Sequence, residues 1–338
     1  MWDLDRKVLC IMRILSSSPE EALGARVIAH RLQDFGIELG ERAVRYHLKI
    51  MDDRGLTRCI GREGRIITET GMEEIKNYTV RDKVGFITAK IEQLAWQTNF
   101  DLDKCAGTVP VNIACFPKEK FQKALHGMKP VFKNGLCTSD MVAVAREGQM
   151  VGHFTIPEGK IALVTISSAM VNGVFLKAGI HVEPRFSGVL QIRNGKPVRF
   201  LELILYAGCS LNPAELFIIA KMTAVHQVAR HGSGRILASF REIPDYCWTK
   251  AQDLLARLKQ KGMGGLLLMG SPNEPLCGIT PEPNGVGMIL VSGFNTTAAA
   301  AESGVNVESH TLSEVVEYNS LVKFSDVYKK LIQDNTLP

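Results

Sequence analysis

A winged helix followed by an internally duplicated, mixed-sheet α/β (mixed α+β) domain is the fold class that three features of this sequence predict. The first 71 residues read as three helices and a hairpin. Beyond residue 82, three short motifs recur in the same order at nearly one spacing. Each copy also mixes strand-period and helix-period segments, the pattern of a domain that packs helices on sheets. The predicted boundaries are 1–71 for the winged helix, 72–82 for a polar connector helix, and 83–338 for the second domain. That domain divides into two similar halves, 83–210 and 211–338.

Taken in order, Leu4–Leu15 carries Leu4, Val8, Ile11, Met12 and Leu15 at helical spacing, and Ser16–Pro19 ends it. Ala25–Phe35 supplies Val27, Ile28, Leu32 and Phe35 to the same core, with Gly36 and Gly40 bracketing the next turn. In Glu41–Arg54, the apolar positions Ala43, Val44, Leu48, Ile50 and Met51 leave Arg42, Arg45, Tyr46 and Lys49 on the opposite side. Gly55 stops this helix, since glycine enters the left-handed C-cap conformation most cheaply. Strands Leu56–Ile60 and Arg65–Thr70 follow, joined around Gly61-Arg62-Glu63-Gly64. A helix and then a hairpin carrying Arg58, Arg62 and Arg65 is the order of a winged helix. Such a helix fits the major groove of double-stranded DNA, and the wing reaches phosphates or the minor groove. A solvated amphipathic helix with a surface hairpin is the other reading of these residues.

The duplication rests on three matches. IACF at 113–116 matches LASF at 237–240, TIPEGKIALV at 155–164 matches ITPEPNGVGMILV at 279–291, and AGIHVE at 178–183 matches SGVNVE at 303–308. Cys115 to Ser239, Ile156 to Thr280 and Ala178 to Ser303 are separated by 124, 124 and 125 residues. In the first copy a helix is expected over Glu119–His126, a long strand over Lys160–Ser167, a short helix over Val171–Ala178 and a strand over Val198–Tyr206. The second copy repeats this with Cys247–Lys261, Val286–Ser292, Thr297–Ser303 and a strand near Val315–Val322. Helices Lys83–Gln97 and Pro213–Arg230 precede the copies; the second is apolar nearly all round, which predicts burial in the domain or in a dimer interface.

Composition is that of an ordinary soluble globular protein, 46% hydrophobic and 22% charged. Residues 1–80 hold 13 basic and 13 acidic side chains, whereas residues 41–65 hold seven against four. DNA binding is therefore argued from where the arginines sit, and a neutral domain of this kind is expected to pool two recognition helices in a dimer or higher homo-oligomer. The eight cysteines include no Cys-x-x-Cys pair, which excludes the usual zinc ribbons and small disulfide frameworks. The first ten residues lack a signal-peptide pattern and no apolar run reaches membrane-spanning length, so a cytoplasmic protein with reduced thiols and no membrane partner is expected.

No catalytic spacing survives inspection. His226 and His231 lie five apart without the zinc-protease glutamate, and no phosphate-binding loop or nucleophile elbow is present. The chain is thus read as a non-enzyme with no catalytic residue, metal or cofactor. Gly232-Ser233-Gly234 reads as a helix-to-strand turn with an anion-binding nest as the alternative. Better candidates for a ligand are the small-residue segments TISSAMVNG at 165–173 and SGFNTTAA at 292–299, each leaving a buried strand and entering a helix. Ser167, Ser168, Asn172, Ser292, Asn295, Thr296 and Thr297 are natural donors there, and His181, Arg185 and His310 could add positive charge. The same hydroxyls could simply cap helices.

The runs GARVIAHRL at 24–32, GERAVRYHLKIMDDRGLT at 40–57 and GRIITETG at 64–71 resemble the NrpR family, nitrogen-regulatory transcriptional repressors of methanogenic archaea with relatives in some bacteria. TIPEG at 155–159 and FSGV at 186–189 look similar to that family's effector domain, of which this chain holds one, itself duplicated. The resemblance implies a winged-helix repressor acting at palindromic operators of nitrogen genes and released by a dicarboxylate effector, 2-oxoglutarate. Two alternatives come from other classes: a small-molecule enzyme whose winged helix is an interaction module, and a DNA-bound regulator sensing redox or metal through its cysteines.

Overall fold

Apolar periodicity in the first 82 residues closes one small core. The computed structural model describes residues 6–19, 21–82 and 85–333. The chain forms two compact units, one up to Val84 and one from Gly85 onward. The first contains α1 (Arg6–Ser16), α2 (Ala25–Leu32, tightening into a 3-10 turn to Phe35), α3 (Glu41–Asp53), β1 (Thr57–Ile60), β2 (Gly64–Ile67) and α4 (Glu69–Asp82). Ile11, Met12, Leu15, Ile28, Leu32, Val44, Leu48 and Met51 are buried together, with Leu56 and Ile67 closing the hairpin side. Val27, expected in this core, is 44% exposed: its neighbour Ile28 takes the inward position on α2. Leu4 and the Phe35 side chain lie outside the described residues.

Helix α3 ends as its sequence requires. Gly55 takes φ +71, its N–H donates to Asp52 O, and the Leu56 N–H donates to Met51 O, the paired bonds of a glycine C-cap. Both wing strands are shorter than expected because Thr68 leaves the ladder to cap α4, accepting the Gly71 N–H at 3.1 Å. The hairpin pairs Thr57 with Ile67, and Arg65 also bridges Leu23. Gly64, at φ +132, lies so close to Leu23 that a Cβ there would sit 2.3 Å from the Leu23 carbonyl oxygen.

The second unit begins with α5 (Phe86–Gln97), β3 (Thr108–Pro117), α6 (Phe121–Lys133), β4 (Met141–Arg146), a small hairpin of β5 (Met150–Val151) and β6 (Phe154–Thr155), and β7 (Lys160–Ile166). It continues with α7 (Ala169–Lys177), β8 (Glu183–Arg193), β9 (Lys196–Leu205), α8 (Pro213–Ile219), α9 (Val225–His231), β10 (Gly234–Pro244) and α10 (Trp248–Gln260). The last elements are β11 (Leu266–Met269), β12 (Gly285–Val291), α11 (Asn295–Glu302), β13 (Glu308–Glu317), β14 (Val322–Lys323) and α12 (Phe324–Tyr328). Two five-stranded sheets result, in the orders β13-β3-β7-β4-β14 and β11-β12-β10-β8-β9. The fold is mixed α/β as predicted. The described pairings of these sheets are antiparallel rather than mixed, because the order of strands and helices does not fix strand direction.

The two halves exchange strands. β13 of the second half pairs with β3 of the first, and β8 of the first pairs with β10 of the second. Each half therefore completes the other's sheet. The repeat register also differs from the sequence match. β3 and β10 each end in a proline, Pro117 and Pro244, followed by a 3-10 turn and the long helix, so the equivalence on this strand is 127 residues rather than 124. Short apolar strands tolerate such a slide by composition alone. A slide of three residues nevertheless inverts the two faces, so Asn112 corresponds to Ser239, and both are buried.

The segment 213–230 is two helices, not one. Lys221 adopts φ +55 between α8 and α9. Phe217, Val225 and Val228 are buried, while Ile219 is 76% exposed, so the all-round burial read from the sequence does not hold.

Gly64→Ala is expected to lower the stability of the winged-helix unit by roughly 1–3 kcal/mol, from left-handed strain and the clash with Leu23. Thermal unfolding of the variant checks this, and an unchanged midpoint refutes the close approach.

Candidate nucleic-acid interface and enclosed cavity

Burial of Val44, Leu48 and Met51 fixes which way α3 faces. Arg42, Arg45, Tyr46 and Lys49 are thereby turned to solvent, Tyr46 at 66% exposure. Among the described residues Arg45 pairs with Glu41, one turn earlier, in an exposed contact that adds little stability. Arg42, Lys49, Arg58 and Arg62 form no ion pair with the described residues, and all four are exposed. This leaves a cationic helix face and two cationic wing positions available to an anionic partner.

Arg65 is placed differently from the other wing arginines. Its Nε donates to Asp52 Oδ2 at 2.8 Å, and Thr57 donates to Asp52 Oδ1 at 2.6 Å, in a half-buried cluster. Asp52 thus ties the end of α3 to both wing strands. The sequence placed Arg65 among the DNA contacts; the structure makes it a clamp holding helix and wing together, because its guanidinium is held at the base of the hairpin.

In the second unit, the two strand-to-helix turns at 167–169 and 292–294 meet. A Cβ on Gly293 would lie 3.0 Å from Asn112 Nδ2 and 3.1 Å from the Ile166 carbonyl oxygen, so the turns are in close contact. Between them is a cavity of about 30 Å³, lined by Asn112, Ser167, Ser168, Ser187, Tyr206, Asn212, Ser239, Arg241 and Ser292 among others. Ser167 and Ser292 each cap their own helix start, accepting from the Ala169 and Phe294 N–H groups.

Arg241, from β10, is the one charged side chain in this lining, and it is only 1% exposed. Nη1 and Nη2 donate to the Ser168 carbonyl and hydroxyl at 2.9 and 2.8 Å, across to the other half of the repeat. Its Nε, the Ser239 hydroxyl and Asn112 Oδ1 have no hydrogen-bond partner among the described residues. Burial lowers the Arg241 pKa to about 10, with Tyr206 pulling the other way; the group remains a cation at neutral pH. Burial likewise raises the Tyr206 phenol, opposed by Arg241 and Ser187.

Of the ten residues selected from sequence for ligand contact, Ser167, Ser168 and Ser292 reach this cavity. The others do not. Asn295 exchanges two hydrogen bonds with the Leu237 backbone, and Thr296 donates to the Gly293 carbonyl. Asn172 donates to the Val182 carbonyl, and Thr297 lines a separate groove beside α8. His181 is exposed near Trp96. Arg185 is held by Glu183, Glu242 and Glu282, and the His310 ring packs tilted against Phe154, with centroids 4.0 Å apart. Small polar side chains at helix starts satisfy their own backbone first. Arg241, Ser239, Asn112 and Tyr206 were missed by the sequence reading. The available signal was Arg241, a charged residue next to Glu242 in the otherwise largely apolar strand Ile236–Ile243.

Elsewhere the geometry is plain. The Ser233 hydroxyl accepts the Asn194 N–H and Gly195 donates to Gly232 O, so 232–234 braces the β8–β9 turn. Among the described residues no cluster of three metal-ligating side chains occurs, and no helix is long and apolar enough to cross a membrane.

A family model of the NrpR regulatory domains NRD1 and 2 matches residues 84–323, and a model of the ribonuclease R winged-helix domain matches residues 9–75. The global nitrogen regulator NrpRI of Methanosarcina mazei is 36% identical over 94% of this chain and 98% of its own length. The global nitrogen regulators NrpR of Methanocaldococcus jannaschii and Methanococcus maripaludis are 31% and 27% identical over 96% and 95% of this chain. The matches span 56% and 55% of those two proteins, about half of each. A crystal structure of a nitrogen repressor-like protein from Methanococcus jannaschii superposes with a TM-score of 0.60 at 26% identity, covering 70% of this chain and 97% of that one.

Burial holds the His310 pKa below its ordinary value of 6.5, against an opposing pull from Glu308. The unfolded chain therefore takes up this proton first on acidification. Its stabilising contribution is present above pH 6.5 and is lost as pH falls through the lower folded value. Proton NMR titration is expected to place His310 below 6.5, and His310→Gln to weaken the acid loss of stability; titration at or above 6.5 contradicts the packing.

Proposed function

Because the chain belongs to the NrpR family of nitrogen regulators and begins with a winged helix, we propose that it is a transcriptional repressor. It binds double-stranded, palindromic operator DNA as a homodimer or higher oligomer and releases it when 2-oxoglutarate binds the effector unit. The observation that supports DNA binding most directly is the exposed face of α3. Arg42, Arg45, Tyr46 and Lys49 stand on a helix whose other side is fully packed and whose end is clamped to the wing. Rigid presentation of cations lets phosphates and base edges be met in one register. Arg58 and Arg62 extend the contact along the wing.

Ligand control follows from linkage. 2-Oxoglutarate shifts DNA affinity only if it binds the DNA-free arrangement more tightly than the DNA-bound one. The family's regulators set the frame for a regulatory, not catalytic, role.

Fluorescence anisotropy on DNA upstream of nitrogen genes tests the proposal. Arg45→Ala is expected to weaken operator binding by roughly 1–3 kcal/mol and to relax sequence preference, while Arg62→Ala lowers the salt slope with little change in preference. Arg65→Ala is expected to act through stability, lowering the unfolding midpoint of the unit. Unchanged binding by both Arg45→Ala and Lys49→Ala would remove α3 from the readout.

A further inference from the structure

We propose that the bowl between α5 and α7 is a binding site for a small primary alkylammonium compound. The site is independent of the regulatory reading above, and its failure would leave that reading intact. Glu92 and Trp96 lie one turn apart on α5, and Asn172 and Leu176 lie one turn apart on α7, so each pair shares a helix face. All four line one open cavity of about 540 Å³, together with His181 and Val182. That volume falls within the range of small-molecule sites. The two helices pack closely: a Cβ added to Gly173 would sit 2.4 Å from Thr98 Cβ, and Ile91 and Leu94 share a buried cluster with Ala169. The walls are therefore in place before a ligand arrives, which lowers the cost of binding.

Asn172 carries the argument. It is only 4% exposed, and its Nδ2 donates to the Val182 carbonyl at 2.9 Å, which fixes the orientation of the amide. Its Oδ1 has no hydrogen-bond partner among the described residues. A buried acceptor left in this state is costly, so the deep part of the bowl calls for an N–H or O–H. Glu92 is exposed, forms no ion pair with the described residues, and is the one acidic or basic side chain in the lining apart from His181. Trp96 is 73% exposed and borders the same space. A carboxylate and an aromatic ring both attract a cation. Oδ1 adds the need for a donor, which a primary ammonium supplies and a quaternary ammonium lacks. Leu176 and Val182 suit a short aliphatic stem, and Glu92 disfavours anions. A concave site with a single carboxylate holds one ammonium group of a small molecule.

Ligand-observed NMR titration of the full chain tests the site, with n-butylammonium, tetramethylammonium and butyrate at constant ionic strength. Saturable binding of n-butylammonium is expected, tighter than that of tetramethylammonium, and no binding of butyrate. Glu92→Gln and Trp96→Ala, both at exposed positions, are expected to weaken n-butylammonium binding roughly five- to tenfold. Asn172→Leu is expected to weaken n-butylammonium several-fold and to leave tetramethylammonium unchanged, a pattern that a merely structural role for Asn172 would not give. Should Asn172→Leu fail to fold, the two exposed variants decide the matter. Equal n-butylammonium affinity in wild type, Glu92→Gln and Trp96→Ala overturns the site. Tetramethylammonium bound at least as tightly as n-butylammonium overturns the primary-amine assignment, and binding of butyrate overturns the charge argument. No saturable binding to wild type overturns the proposal; if Trp96→Ala also lowers the sedimenting mass, the bowl is a contact between copies of the chain instead.

Discussion

A positive charge held inside protein, away from any carboxylate, is the constraint around which the second unit is organised. Arg241 projects from a central strand of one sheet and is held by Ser168, at the helix entry of the other half. The strand exchange explains how such a contact arises. Since β8 crosses to pair with β10 and β13 crosses to pair with β3, neither half can form its full sheet alone. The seam between halves runs through the middle of the unit, where polar side chains from both meet. Groups that cannot all satisfy one another are confined there, which is where a strained or functional site is expected.

The winged-helix unit meets a different requirement, that of holding a polar surface rigid. A helix presenting cations to solvent gains nothing from them in folding, so its orientation must come from its other face and its ends. Val44, Leu48 and Met51 supply the face. Asp52 supplies the end by accepting hydrogen bonds from both Thr57 and Arg65. Hydrogen bonds to a charged acceptor contribute roughly 1.5–3 kcal/mol each. They tie the end of the helix to both strands of the hairpin.

The first unit was largely legible because its signals are local: helical spacing of apolar residues, a glycine that must turn left-handed, and a glycine-rich hairpin. The pairing of Arg65 was not legible, because spacing along a strand cannot show that Asp52, thirteen residues earlier, lies within reach. In the second unit the duplication and the strand-to-helix turns were visible, yet most of the side chains chosen there do not line the cavity between the turns. Asn295, Thr296 and Asn172 were chosen for their donor chemistry, and each is committed to nearby backbone. Arg241 escaped notice for a specific reason. Matching the repeats at 124 residues set it opposite Pro117, whereas the strand ends show a spacing of 127 and set it opposite Ala114. Only in that register does an arginine stand out against an apolar partner on a buried face.

The proposed regulation requires a coupling free energy between operator DNA and effector, and it must be the same whichever ligand is measured. The most direct measurement is the affinity for 2-oxoglutarate by calorimetry, first on the free protein and then on protein saturated with operator DNA. The account predicts weaker binding in the presence of DNA, by the same factor by which 2-oxoglutarate weakens operator binding. Equal affinity with and without DNA would contradict it.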